Sequence, residues 1–222
     1  MAALLSSGQA LIDWAWIGRN ADDILALLVE HVQITVASVG LGFVVAFPLA
    51  LLAVRWQWIY PPLLGIAGLL FTIPSIALFV LMVGITGLGV TTVVIPLSIY
   101  TLLVLVRNTV EGFLGIDPNV REAAEAMGYR RARQILRVEL PLALPVIIAG
   151  LRIAMVTAVG LATVGALVGS GGLGDLFTDA AARRFLTPAV VGIVLASTLA
   201  IILDLLLLGL QRALTPWRQG AA

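Results

Sequence analysis

Apolar positions run along this chain in long blocks separated by short polar breaks. Residues 32–54 form 23 consecutive positions without a charge, closed by Arg55. Residues 56–106 form another 51, about twice the roughly 20 residues that one helical crossing of a bilayer needs. Pro61 and Pro62 open that second block, and Gly84, Gly87 and Gly89 interrupt it. The pattern therefore predicts helices near 61–83 and 90–106, joined by a short turn at a membrane face. Glu111 to Glu139 is the long polar segment of the middle. A fourth apolar block covers about 141–168 with one charge, Arg152, and a fifth covers about 188–210 with one charge, Asp204. The expectation is an all-α polytopic membrane protein with five transmembrane helices. Leu11 to Ile17, with Trp14 and Trp16, is too short to span and reads as an interfacial helix.

This reading divides the chain into an extracytoplasmic segment at 1–26, a transmembrane domain at 27–211 and a cytoplasmic tail at 212–222. Within the domain, 107–141 is the cytoplasmic loop. Arginine placement orients it. Arg55, Arg107, Arg121, Arg130, Arg131, Arg133, Arg137, Arg212 and Arg218 fall on one side, against Arg19, Arg183 and Arg184 on the other. Basic loops stay inside, so the N terminus lies outside, with Asp13, Asp22 and Asp23.

Composition narrows the chemistry. Hydrophobic residues make up 61% of the 222 positions and charged residues 11%, against about a quarter charged in soluble domains. Lipid is the natural solvent for such a chain. With no cysteine, disulfides, thiolate metal sites and thiol nucleophiles are excluded, and no metal site is expected. All thirteen basic residues are arginine, so the lysine of a phosphate-binding loop is missing. A net charge of +1 gives no reason to expect nucleic acid. The first ten residues carry no positive charge, which argues against a secretory signal. With one histidine and neither cysteine nor lysine, a membrane enzyme has little to build a catalytic cluster from. A secondary transporter would need coupling carboxylates deep in the membrane and usually internal repeats; Asp204 is the one deep acid, and no repeat is visible.

Three further patterns bear on packing. Gly150, Ala154, Ala158, Ala162 and Ala166 recur every four residues, so one face of the fourth helix admits close approach of another backbone. That backbone belongs either to this chain or to a second subunit across a pore. Arg152 and Asp204 lie at similar depths on helices running in opposite directions, about 16 Å and 10 Å from the cytoplasmic ends at 1.5 Å per residue. Intramembrane charges usually pair or line water, so these two are expected to form an ion pair. His31 stands at the outer edge of the first helix beside Glu30, where a packed or interfacial role is expected.

The polar middle segment carries the decisive motif. Glu122-Ala123-Ala124-Glu125-Ala126-Met127-Gly128 is followed, nine residues on, by Val138-Glu139-Leu140-Pro141. Pro118 and the Glu122–Met127 stretch suit a short helix beginning near Asp117, a natural N-cap. The alanines give that helix a low profile that can enter a groove, and Gly128 can turn the chain through a left-handed conformation. The segment resembles the EAA loop of binding-protein-dependent importer permeases, with Val138 in place of the usual Ile. Thr72-Ile73-Pro74-Ser75, Arg107-Asn108-Thr109 and the run from Gly169 to Asp175 resemble the permeases of osmoprotectant importers, and the likeness extends from about His31 to Trp217.

The resemblance implies a methionine-permease-like fold in a prokaryotic cell membrane, surrounded by lipid. It also implies a dimer of cytoplasmic ATPases that bind ATP and Mg²⁺, a second permease subunit (favoured as a different chain) and an external substrate-binding protein. This chain would need no cofactor of its own. The coupling residues would be Asp117, Arg121, Glu122, Ala123, Ala124, Met127 and Gly128. The cargo would be a quaternary amine such as glycine betaine, choline or carnitine, with a methionine or sulfonate permease as the alternative. A methylammonium group favours aromatic faces, which makes Phe71, Phe79 and Tyr100 path candidates. Thr72 and Ser75, flanking Pro74, would add a polar lining. Gly169, Gly171, Gly172 and Gly174 satisfy the spacing of a dinucleotide fingerprint, but a membrane helix and not a strand precedes them. A flexible outer gate, or the end of the pore helix, is the expected role.

Overall fold

The computed structural model of the protein describes residues 12–218. It is helical throughout that range, and its hub is one helix clasped between two others. Helix α1 (Trp14–Arg19) is capped by Asp13, whose Oδ1 accepts from the Trp16 amide at 3.0 Å. It lies three residues later than expected at its start, and Leu11 falls outside the described residues. Helix α2 (Ala21–Arg55) has 35 residues. At 1.5 Å per residue it is about 50 Å long, well beyond the roughly 30 Å of a hydrocarbon core. The helix that holds the first crossing therefore begins about three turns before Val32, and the expected boundary at 26/27 falls inside it.

The second crossing departs most from expectation. A single helix over 61–83 is replaced by α3 (Tyr60–Thr72) and α4 (Ser75–Thr86), the first preceded by a short 3₁₀ turn (Gln57–Ile59), with an 89° bend between the two arms. Proline restricts the residue before it to extended conformations. Ile73 duly sits at φ −63°, ψ 129° and Pro74 follows at ψ 130°, which ends one helix and starts the next. Gly87 and Gly89 then take positive φ and turn the chain into α5 (Val90–Leu114), which runs eight residues past the expected end at 106. The polar middle segment follows as α6 (Pro118–Ala126). Next, α7 (Arg131–Gln134), a π-turn (Ile135–Glu139), α8 (Leu140–Ala162) and a 3₁₀ segment (Thr163–Val168) form one nearly continuous column. After a further 3₁₀ turn (Gly172–Gly174) come α9 (Asp175–Arg183) and α10 (Leu186–Leu214). The expected boundary at 211/212 lies within α10.

Among the described residues, four helices are long and apolar enough to cross a membrane, and the bent pair makes a fifth if it is one broken span. Helix α5 is central because both neighbours present small residues to it. On α2, Ile34, Ser38, Gly42, Ala46 and Ala50 recur every four residues and are all buried. A methyl group at Gly42 would overlap Thr101 Oγ1. On α8, Gly150, Ala154, Ala158 and Ala162 are buried, and a methyl at Gly150 would approach Asn108 Cβ at 2.5 Å. The α8 stripe thus packs inside the chain rather than against a second subunit. Close backbone approach replaces the hydrophobic driving force that lipid removes. Helix α10 buries only Thr187, Pro188, Gly192 and Leu199, leaving Ile193, Ile201, Leu205 and Leu206 exposed, a face suited to lipid.

Candidate functional site

The segment carrying the Glu122–Gly128 motif is a short helix held out from the bundle. Asp117 Oδ1 accepts from the Asn119 amide at 2.9 Å, and Pro118 occupies the first turn, where its missing N–H costs nothing. At the other end Gly128 adopts φ +78°, and amides of Met127, Gly128 and Tyr129 return to carbonyls of Ala123, Glu125 and Ala124. Glu122, Ala123, Glu125, Ala126 and Met127 all face outward, with Met127 69% exposed. Only Ala124 and Arg121 turn inward. Arg121 Nη2 donates to the Phe113 carbonyl at the end of α5, and its Nε stands 3.6 Å from Glu139 Oε2 at the base of the α8 column. The segment can therefore present a knob to a partner while its inner side touches two membrane helices. Arg131 and Glu139 complete this contact and were not singled out from the motif; an acid between Val138 and Leu140 beside a run of arginines was the available signal.

Higher in the bundle, the freed carbonyl of Ile73 at the α3–α4 break accepts from Tyr100 Oη at 2.7 Å. Phe71 meets the Tyr100 ring edge-on, 5.8 Å between centroids. These two line a small cavity of about 40 Å³ together with Leu97, Val104, Thr157 and Leu161. Thr157 also lines the adjoining groove, about 430 Å³, that holds Arg152 and Asp204. Arg152 Nε and Nη2 donate to the two Asp204 oxygens at 2.7 Å each, a bidentate pair. Thr72 is exposed and its hydroxyl returns to the Leu69 carbonyl at 2.7 Å; Ser75 starts α4 and is half-buried. Phe79 is not on this surface. It is fully buried among Ile34, Val93, Leu97 and Ala162, because the bend at Pro74 rotates α4 into the core.

The glycine run is tightly packed in this structure. Gly169 takes φ +83° and ends the 3₁₀ segment, while residues 170–174 are buried. Added methyls at Gly171 and Gly174 would overlap the backbones of Ala166 and Thr163, and one at Gly172 would lie 2.7 Å from the His31 amide. His31 is fully buried here, with Nδ1 3.2 Å from the Gly171 carbonyl and Nε2 3.0 Å from the Val159 carbonyl. It staples α2 to α8 and to the glycine run that follows it.

The structure thus combines an exposed helix carrying the Glu122–Gly128 motif with a bundle of broken and continuous membrane helices, and the chain belongs to the binding-protein-dependent transport system inner membrane components, whose family model matches residues 38–217. Among relatives, the osmoprotectant import permease protein OsmW of Salmonella typhimurium is 39% identical over 89% of this chain and 94% of its own length. The glycine betaine/carnitine/choline transport system permease protein OpuCD of Bacillus subtilis is 34% identical over 90% of this chain and 88% of its own. In fold, the chain is similar to a permease chain in an inward-facing structure of the MetNI methionine ABC transporter, with a TM-score of 0.76, 24% identity, and 86% and 96% of the two chains covered.

Proposed function

We propose that this chain is the translocating subunit of an ATP-driven importer for an osmoprotectant quaternary amine, with its N terminus outside and α6 in the cytoplasm. The observation that carries the reading is the geometry of α6, a capped helix whose EAA face is free while its inner arginine contacts α5 and the α8 column. Motion of a docked ATPase at that face would reach the pore helix directly. The chain hydrolyses nothing itself; ATP and Mg²⁺ belong to the ATPase partner, and an external binding protein delivers cargo. A second permease, favoured as a different chain, completes the pore. Relatives named for osmoprotectants, glycine betaine, carnitine and choline support the cargo class. The paired rings of Phe71 and Tyr100 offer a cation the aromatic surface it prefers over arginine.

The test is uptake in cells lacking other osmoprotectant systems. Radiolabelled glycine betaine, choline or carnitine should accumulate only when this chain and its partners are expressed. Uptake of methionine with no quaternary amine carried would move the chain to the methionine class that its structural neighbour is named for.

A further inference from the structure

Glu139 closes the π-turn below α8, and its carboxylate is fully buried. Taking a carboxylate out of water is costly, so a buried one needs cations around it. Two guanidiniums supply them. Arg131 Nη1 donates directly to Oε1. Arg121 Nε stands 3.6 Å from Oε2, beyond hydrogen-bond range. Both of those facing atoms are buried and lack a hydrogen-bond partner. The contact is therefore open at a place where leaving it open is unfavourable.

The three residues belong to three parts of the coupling apparatus. Arg121 rides on α6, Arg131 opens α7, and Glu139 ends the π-turn that joins α7 to α8. Gln134, itself buried, reaches the Arg121 carbonyl from between them at 3.4 Å. Arg121 also holds the end of α5 through the Phe113 carbonyl. A π-turn carries a looser ladder than the α-helix around it and recurs at functional positions. Shortening the 3.6 Å separation by about 0.7 Å would bring the open pair into charge-assisted bonding range.

We propose that Glu139 is a positioning residue for energy coupling. Arg131 holds one carboxylate oxygen throughout the cycle, and the Arg121 contact at the other oxygen closes when a docked partner presses α6 inward. The closing contact draws the base of α8 with it, and the π-turn yields. This rests on the reading of α6 as the coupling helix. A static clamp that merely stabilises the loop predicts something different, namely loss of stability without a specific loss of coupling.

The test reconstitutes the complex with its co-purified ATPase in liposomes and measures radiolabelled glycine betaine transported per ATP hydrolysed, alongside thermal melting. Arg121→Gln removes the α6 partner but leaves the Arg131–Glu139 pair, so it assembles even if Glu139→Gln does not. Both variants should lower the transport-to-hydrolysis ratio about tenfold, the upper part of the range for residues on a coupling route. Their combination should be no worse than either alone, and Glu139→Asp, which keeps the charge, should recover much of the ratio. Gly128→Val is the independent control for α6. If Gly128→Val loses the ratio while Arg121→Gln keeps it, this inference fails and the coupling reading survives. If both keep it, the coupling reading fails as well. If Arg121→Gln melts lower in proportion to its lost transport and Glu139→Asp recovers nothing, the trio is a static clamp and the proposal is overturned.

Discussion

Removing one member of the Arg152–Asp204 pair should destabilise the folded chain more than removing both. The pair is bidentate, with both oxygens bonded at 2.7 Å, and the two side chains are 28% and 29% exposed to the groove beside α8. An unpaired charge at membrane depth costs at least about 2.5 kcal/mol on insertion scales, and breaking a buried pair about 3–5 kcal/mol. Because the pair is partly open to the groove, the lower end applies, about 2–3 kcal/mol for each single replacement. At 1.36 kcal/mol per decade that is roughly a thirty- to 160-fold change in the unfolding equilibrium. Arg152→Met and Asp204→Leu should each show this loss. The double variant, which leaves only apolar groups of similar size, should return to within about 1 kcal/mol of the parent. Equilibrium unfolding in mixed micelles, followed by the fluorescence of the five tryptophans, measures all four corners of the cycle. If the double variant loses the sum of the two singles to within about 0.5 kcal/mol, the side chains do not interact and the reasoning is wrong. Single variants that unfold like the parent yet fail to transport would assign the pair to passage rather than to folding.

Three other outcomes follow from particular residues. Gly128→Val puts a branched side chain at φ +78°, where nothing lies within 4 Å, so the cost is backbone strain of about 1–2 kcal/mol; membrane abundance should stay normal while uptake is lost, and normal uptake would remove the coupling assignment. Gly171→Ala overlaps the Ala166 backbone whereas Gly40→Ala meets open space, so the first should sharply lower the yield of folded complex and the second should not, measured by size-exclusion of detergent extracts. The chain has no native cysteine, which permits single-cysteine mapping. Met127→Cys should react with an impermeant maleimide only from the cytoplasmic side and Trp14→Cys only from outside, and the reverse pattern would invert the proposed orientation.

Much of the architecture is legible in one dimension because lipid imposes a one-dimensional rule. Each crossing must be a long apolar run with at most an isolated charge, and such runs mark α2, α5, α8 and α10. The cap at Asp117 and the left-handed turn at Gly128 are readable for a similar reason, since each depends on a few adjacent residues. The stripe Ile34, Ser38, Gly42, Ala46 and Ala50 has the same four-residue spacing as the α8 stripe, yet only the latter stands out before the structure is known. Bulky Phe43, Phe47 and Leu51 sit between the small residues and mask it.

By itself, then, the sequence determined the membrane class, the helical composition, the coupling motif and the pairing of Arg152 with Asp204, all of which follow from local composition, spacing and depth along a helix. Tertiary structure decided what depends on contacts between distant segments. The break at Pro74 became an 89° bend, its freed carbonyl found Tyr100, and Phe79 turned into the core instead of the path. The glycine run was placed against His31 some 140 positions away, so its small residues serve close packing. Glu139 acquired its meaning in the same way. A lone glutamate in a polar loop is unremarkable as sequence, and only burial between Arg121 and Arg131 makes its charge dependent on where α6 stands.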